Sequence, residues 1–138
     1  MDPNTLQTGM VVGFTGSQTG VIPEQCDALI ELMQTLKPSE AHHGDCIGAD
    51  QIFHEICYQL SIPIVIHPPI DDSKRANCEG AWIIHPAKEY LVRNHDIVNS
   101  VDLMFACPNS RNEKQRSGTW ATFRYAKKIN KPLYLITP

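Results

Sequence analysis

The sequence predicts a single α/β domain. Its expected form is a three-layer sandwich, an about five-stranded parallel sheet with helices on both faces. Three observations lead there. Short apolar runs alternate with segments of helical apolar spacing, in the order β-α-β-α-β-α-β-α-β. Most runs are continuously apolar rather than alternating with polar residues, so both faces of the sheet are covered. The chain has 138 residues, the length of one domain, and can bury roughly two-thirds of its unfolded surface.

Each element has its own signal. Residues 1–9 (MDPNTLQTG) carry no apolar pattern and are expected to be a flexible N-terminal segment. Met10 to Phe14 is a short apolar run that meets a turn at Thr15-Gly16-Ser17. Pro23 suits a first helical turn, and Cys26, Leu29, Ile30, Met33 and Leu36 then recur at helical spacing until Pro38. Glu40 to His43 is a short strand. Ala49, Ile52, Phe53, Ile56, Cys57 and Leu60 line one face of the next helix. Ile62 to His67 is strand-like. Residues 68–86, with Pro68, Pro69, Gly80 and Pro86, read as one long irregular loop. A helix with Tyr90, Leu91, Asn94 and Val98 on its stripe follows, then a strand over Val101 to Ala106. Gly118 to Ile129 is the last helix and Pro132 to Ile136 the last strand. Right-handed crossovers in such a Rossmann-like sheet put every strand-to-helix loop on one edge, where ligands bind. The loops 15–22, 44–48, 68–86 and 107–117 are therefore the ones to inspect.

Composition excludes several classes. A net charge of −3 argues against gripping a nucleic-acid backbone, so nucleic acid is not expected as a partner. Five cysteines, an odd number without a CxxC pair, fit a reduced, cytoplasmic setting. No signal peptide and no apolar run of about 18 residues is evident, so no membrane association is expected. The His and Cys spacing calls for no metal, and nothing calls for a cofactor.

Four segments carry candidate chemistry. The turn Thr15-Gly16-Ser17-Gln18 follows the first strand and permits close backbone approach, though it is not the GxGxxG of dinucleotide sites. In HHGDCIGAD, Gly44 and Gly48 flank a turn that opens a helix at Ala49. A helix start favours anions. Asp50, in the first turn, either serves the helix dipole or faces a ligand. Asp45 suits a ribose hydroxyl, a base amine or a proton transfer better than a phosphate, and is the one catalytic candidate; its structural alternative is a turn aspartate. Arg93 and Asn94 are placed toward a ligand; Arg93 could instead pair with Glu89 or Asp96. Arg116, Ser117, Gly118 and Thr119 combine a fork-shaped donor with a capped helix start, a good anion constellation. Lys74 and Arg75 could close over an anion.

The segments GFTGSQ, HHGDCIGAD, HPP, YLVRNHDIV and RSGTWATFRYAKK, in this order, resemble the SLOG superfamily, the Rossmann-like domains related to the Smf/DprA DNA-processing proteins and the LOG phosphoribohydrolases. The resemblance runs over residues 10–136, closest to a small stand-alone branch. It implies a nucleotide-related site lined by Thr15 to Gln18, Gly44 to Gly48, Arg93-Asn94 and Ser117 to Thr119, and homo-oligomers. One position departs: Thr122 stands where LOG enzymes carry the glutamate tied to N-glycosidic cleavage.

The resulting expectation is a binder, possible as a sensor, of a nucleotide or nucleotide-derived ligand such as an ADP-ribose-like compound or a nucleoside phosphate. The alternative is an enzyme acting on N-glycosidic bonds, a hydrolase or transferase with Asp45 as nucleophile or base. A DNA-processing accessory is a third reading.

Overall fold

The computed structural model describes residues 9–138, so the segment expected to be flexible lies outside the described residues except for Gly9. The elements are β1 (Val11–Gly16), α1 (Pro23–Leu36), β2 (Glu40–His43), α2 (Ala49–Gln59), β3 (Ile64–Ile66), β4 (Ile83–Ile84), α3 (Tyr90–Ser100), β5 (Leu103–Cys107), α4 (Gly118–Lys128) and β6 (Leu133–Leu135). All strands are parallel, in the order β4-β3-β2-β1-β5-β6.

The α/β class is as expected, but the sheet has six strands rather than about five. The extra one, β4, pairs Ile83 with Val65 and Ile84 with Ile66. It is two residues long, lies at the sheet edge with both side chains exposed, and sits among Pro and Gly residues. Such a strand has neither the length nor the burial that makes an apolar run stand out.

Two cores flank the sheet. Val12, Phe14, Phe105 and Ile66 pack with Leu29 and Met33 of α1 and Phe53 and Cys57 of α2. Phe14 and Phe53 stack at 4.4 Å between ring centroids. On the other side, Met104 packs with Ile97, Val98 and Val101 at α3 and Ala126 of α4. Helical apolar spacing turned the stripes of α1 and α2 inward, as period 3.6 requires, but on α3 the expected stripe residue Leu91 is exposed and Ile97 packs inward beside Val98.

The chain leaves β1 toward β4 on one side and returns to β5 on the other. The order therefore reverses between β1 and β5, which is where a parallel sheet opens a crevice. Two contacts fix that crevice. Ser17 N–H donates to the Cys107 carbonyl at 3.2 Å. Gln25, 1% exposed, donates from Nε2 to the carbonyls of Pro108 (2.9 Å) and Ile136 (2.8 Å) and accepts from Ile22 N–H at 3.0 Å. One side chain thus ties the start of α1 to the ends of β5 and β6. Gln25→Leu would leave these backbone groups unpaired, so urea unfolding should show a loss of about 2–3 kcal/mol.

Candidate functional site

A cleft of about 830 Å³ opens at the switch point. Its walls are the turn Gly16–Thr19 after β1, the segment after β5 with Asn109, Lys114 and Arg116–Thr119, the segment after β3 with Ile70, Asp71 and Lys74, and Glu89-Tyr90 at the start of α3. Local chemistry places each wall. Ser17 Oγ bonds Thr19 Oγ1 at 2.7 Å and accepts from Thr19 N–H at 3.1 Å, closing the first turn. Ser117 caps α4 by accepting from Trp120 N–H at 3.2 Å. That leaves the Gly118 and Thr119 N–H groups without intrahelical partners. Tyr90 packs its hydroxyl against Gly118, where a Cβ would overlap it.

Charge is uneven around the cleft. Lys74, Lys114 and Arg116 line it, and none makes an ion pair among the described residues. Asp71 and Glu89 line it as well and cap their own elements, Asp71 by accepting from Ser73 N–H at 3.0 Å and Glu89 from Val92 N–H at 3.4 Å.

Next to the cleft is a smaller space of about 10 Å³, lined by Thr15, Gly44, Asp50, Arg93 and Asn94 among others. Gly16, Gln18 and Tyr90 line both spaces. Arg93 is 2% exposed, yet bonds no carboxylate. Its Nη1 donates to the Gly44 carbonyl at 2.5 Å and to the His67 carbonyl at 3.3 Å, and Nη2 reaches Cys46 Sγ at 3.5 Å. The guanidinium also lies 4.7 Å from the Tyr90 ring centroid. A Cβ on Gly44 would overlap Nη1. Asp50 accepts from Cys46 N–H at 3.1 Å. Burial pushes its carboxyl up to about 6, against the nearby Arg93 charge, which pulls it down.

The remaining sequence candidates fall elsewhere. Asp45 is 1% exposed and lines neither space. It adopts a left-handed φ of 54°. Its carboxylate accepts from Cys78 N–H (2.9 Å) and Arg75 Nε (3.1 Å), and its carbonyl from Ala76 N–H (2.7 Å). It holds the segment after β3 onto the end of β2, the turn-aspartate alternative on a larger scale. Arg75 is occupied with it, so of the two expected lid cations Lys74 alone lines the cleft. Gly48 and Ala49 also lie outside. Gly48 takes a φ of 97° with Gln18 O packed where a Cβ would go, and Ala49 N–H donates to the Ser17 carbonyl at 2.9 Å. The start of α2 is therefore stitched to the first turn. Arg93 pairs with neither Glu89 nor Asp96; Lys88 takes Asp96 at 2.7 Å. Sequence reasoning missed Tyr90, Asn109 and Lys114 as lining residues. The last two lie in a loop already marked by its position, and Tyr90 was visible only as a stripe residue.

The histidines form ordered chains. Asp45 N–H donates to His43 Nδ1 (2.9 Å), so His43 Nε2 donates to His54 Nδ1 (2.8 Å), and His54 Nε2 donates to the Glu79 carbonyl (2.7 Å). This pattern needs neutral rings. Burial, reinforced by its neighbours' charges, holds His43 well below the usual imidazole range. Burial likewise lowers His42, which bonds His67 at 2.8 Å, and brings His67 down to about 3. Among the described residues, no group of three or more His, Cys, Asp or Glu forms a metal centre. Burial pushes the Cys57, Cys78 and Cys107 thiols up to about 12, so they are uncharged at neutral pH and poor nucleophiles.

No protein-family model matches the chain, and no curated protein does. Solved structures do. The molybdenum cofactor binding protein from Rippkaea orientalis aligns over 96% of this chain and 77% of its own, with a TM-score of 0.73 at 17% identity. The Moco carrier protein from Chlamydomonas reinhardtii aligns over 96% and 78%, with a TM-score of 0.70 at 16% identity. DNA processing protein A from Helicobacter pylori, a protein with a single-stranded DNA binding mode, aligns over 97% and 68%, with a TM-score of 0.64 at 18% identity. The chain thus shares the Rossmann-like fold of these proteins. No helix among the described residues is long and apolar enough to cross a membrane.

Two outcomes follow from this site. Gly44→Ala should cost about 3 kcal/mol in urea unfolding, because the Arg93 guanidinium has no room to yield. Stability should also depend on pH. The lowered pKa values of His42, His43 and His67 mean the unfolded chain binds more protons below about 6.5, so stability present above that pH is lost on acidification. Asp50, raised to about 6, opposes this between 3.8 and 6, because there the folded chain binds more protons. With three groups against one, the melting temperature should fall from pH 6.5 toward 4, and fall more steeply in Asp50→Asn. A melting temperature that rises on acidification would contradict the assignment.

Proposed function

We propose that the chain binds a nucleotide or nucleotide-derived ligand, an ADP-ribose-like compound or a nucleoside phosphate, and serves as a sensor of it. The observation that carries this reading is the convergence of Lys74, Lys114 and Arg116 with the free N–H groups of α4 in one cleft at the β1–β5 switch point. Helix-start amides and a fork-shaped guanidinium suit phosphate. The volume fits a ligand of that size. Two structural neighbours are, by name, binding or carrier proteins for the molybdenum cofactor, which supports a small-molecule ligand. The net charge of −3 weighs against a DNA track.

The N-glycosidic reading draws less support. The Asp45 carboxylate is taken up by Arg75 and Cys78 and stands outside the cleft. Thr122, at the position of the LOG glutamate, turns its hydroxyl back to the Gly118 carbonyl at 3.0 Å. Binding without turnover is the simpler use of these residues.

Calorimetry with ADP-ribose and a set of nucleoside monophosphates tests the proposal. At least one should bind, with no free base released on prolonged incubation. Arg116→Ala should weaken that binding about 10-fold, the worth of one charge-assisted contact, without lowering the melting temperature. Silence from every ligand in the set would sink the reading.

A further inference from the structure

The loop that carries two of the cleft's cations has little burial to hold it. Residues 111–116 are all exposed, and none belongs to a helix or strand. Ordering such a segment costs backbone entropy that specific contacts must offset. Yet Lys114 and Arg116 both line the cleft. The first half of the loop has several ties. Ser110 Oγ accepts from Trp120 Nε1 at 3.1 Å and donates to the Asn112 carbonyl at 2.9 Å. Arg111 Nε donates to the Pro138 carbonyl at 3.1 Å.

The second half, where the cations stand, depends on one side chain, Arg124 of α4. Its Nη1 donates to Glu113 Oε2 at 2.8 Å and to the Lys114 carbonyl at 3.3 Å, and its Nη2 donates to the Gln115 carbonyl at 3.2 Å. Among the described residues, no other group outside the loop hydrogen-bonds residues 113–116. The two carbonyls belong to the two peptide units that link Lys114 to Arg116. Fixing both units fixes the backbone from which both cationic side chains leave. The planar guanidinium fork reaches all three acceptors at once, which the point charge of a lysine does not. The pair with Glu113 is 37% and 50% exposed, so its worth as an ion pair is small and its use is geometric. Arg124 itself does not line the cleft, but it stands on the helix whose first residues, Gly118 and Thr119, do. One helix thus carries both the free N–H groups and the clamp that spaces the cations from them.

We propose that Arg124 is a positioning residue for the phosphate-binding rim: it sets Lys114 and Arg116 against the start of α4, and nucleotide affinity depends on it although it touches no ligand. The inference rests on the nucleotide reading above and adds the residue that organises its rim.

The test is calorimetry with ADP-ribose and the same set of nucleoside monophosphates. Arg124→Gln should weaken binding about 10-fold without lowering the melting temperature. Arg124→Lys should do the same, because it restores the charge and not the fork. Amide exchange at residues 113–116 should speed up in both variants while the core strands keep their protection, a local change that general destabilisation would not give. Adding Arg124→Gln to a Lys114→Ala/Arg116→Ala protein should cost no further affinity, since nothing is left to position. Wild-type affinity in Arg124→Gln, full rescue by Arg124→Lys, unchanged exchange at residues 113–116, or an undiminished loss in the doubly substituted background would each overturn the inference and leave the nucleotide reading standing. If the wild type binds no member of the set, both fall.

Discussion

The buried guanidinium of Arg93 is the constraint around which the ligand side of this molecule is arranged. A permanent charge at 2% exposure would be ruinous without acceptors. Here the acceptors are backbone carbonyls at the ends of β2 and β3, those of Gly44 and His67. Using backbone rather than a carboxylate has a geometric result. The charge links three elements, α3, β2 and β3, at the height of the sheet edge, and it forbids any side chain at residue 44. The loop after β2 therefore must run close beneath α3, and the Tyr90 ring then covers the guanidinium.

From that point the cleft is assembled outward by short-range contacts. Asp45 anchors the segment after β3, and Ala49 N–H joins α2 to the turn after β1. Gln25 and Ser17 hold the β5 side. The acids Asp71 and Glu89 cap their own elements, while Lys74, Lys114 and Arg116 make no ion pair among the described residues.

The sequence reading found the architecture because apolar periodicity and strand length report burial, and burial is what the sheet and helices share. It missed β4 because an exposed two-residue edge strand carries no such signal. The site was legible in part. Gly16 to Gln18 and Arg116 to Thr119 could be placed from topology alone, since any loop after β1 or β5 must reach the switch point. The roles of the HHGDCIGAD loop were not separable by inspection. Its glycines looked alike, but Gly44 makes room for a guanidinium and Gly48 for a carbonyl. Its two aspartates differ because Asp45 finds a partner in Arg75, thirty positions away, and Asp50 does not; no local spacing encodes that pairing.

The stitching of the strand ends has one more consequence. The plate formed by β1, β5 and their cross-links carries much of the buried core, whereas the cations Lys74 and Lys114 stand on loops outside both core clusters. Folding and recognition are therefore written in largely different residues. Lineages of this fold can exchange one ligand for another by rewriting the rim, with little tax on the stability of the domain.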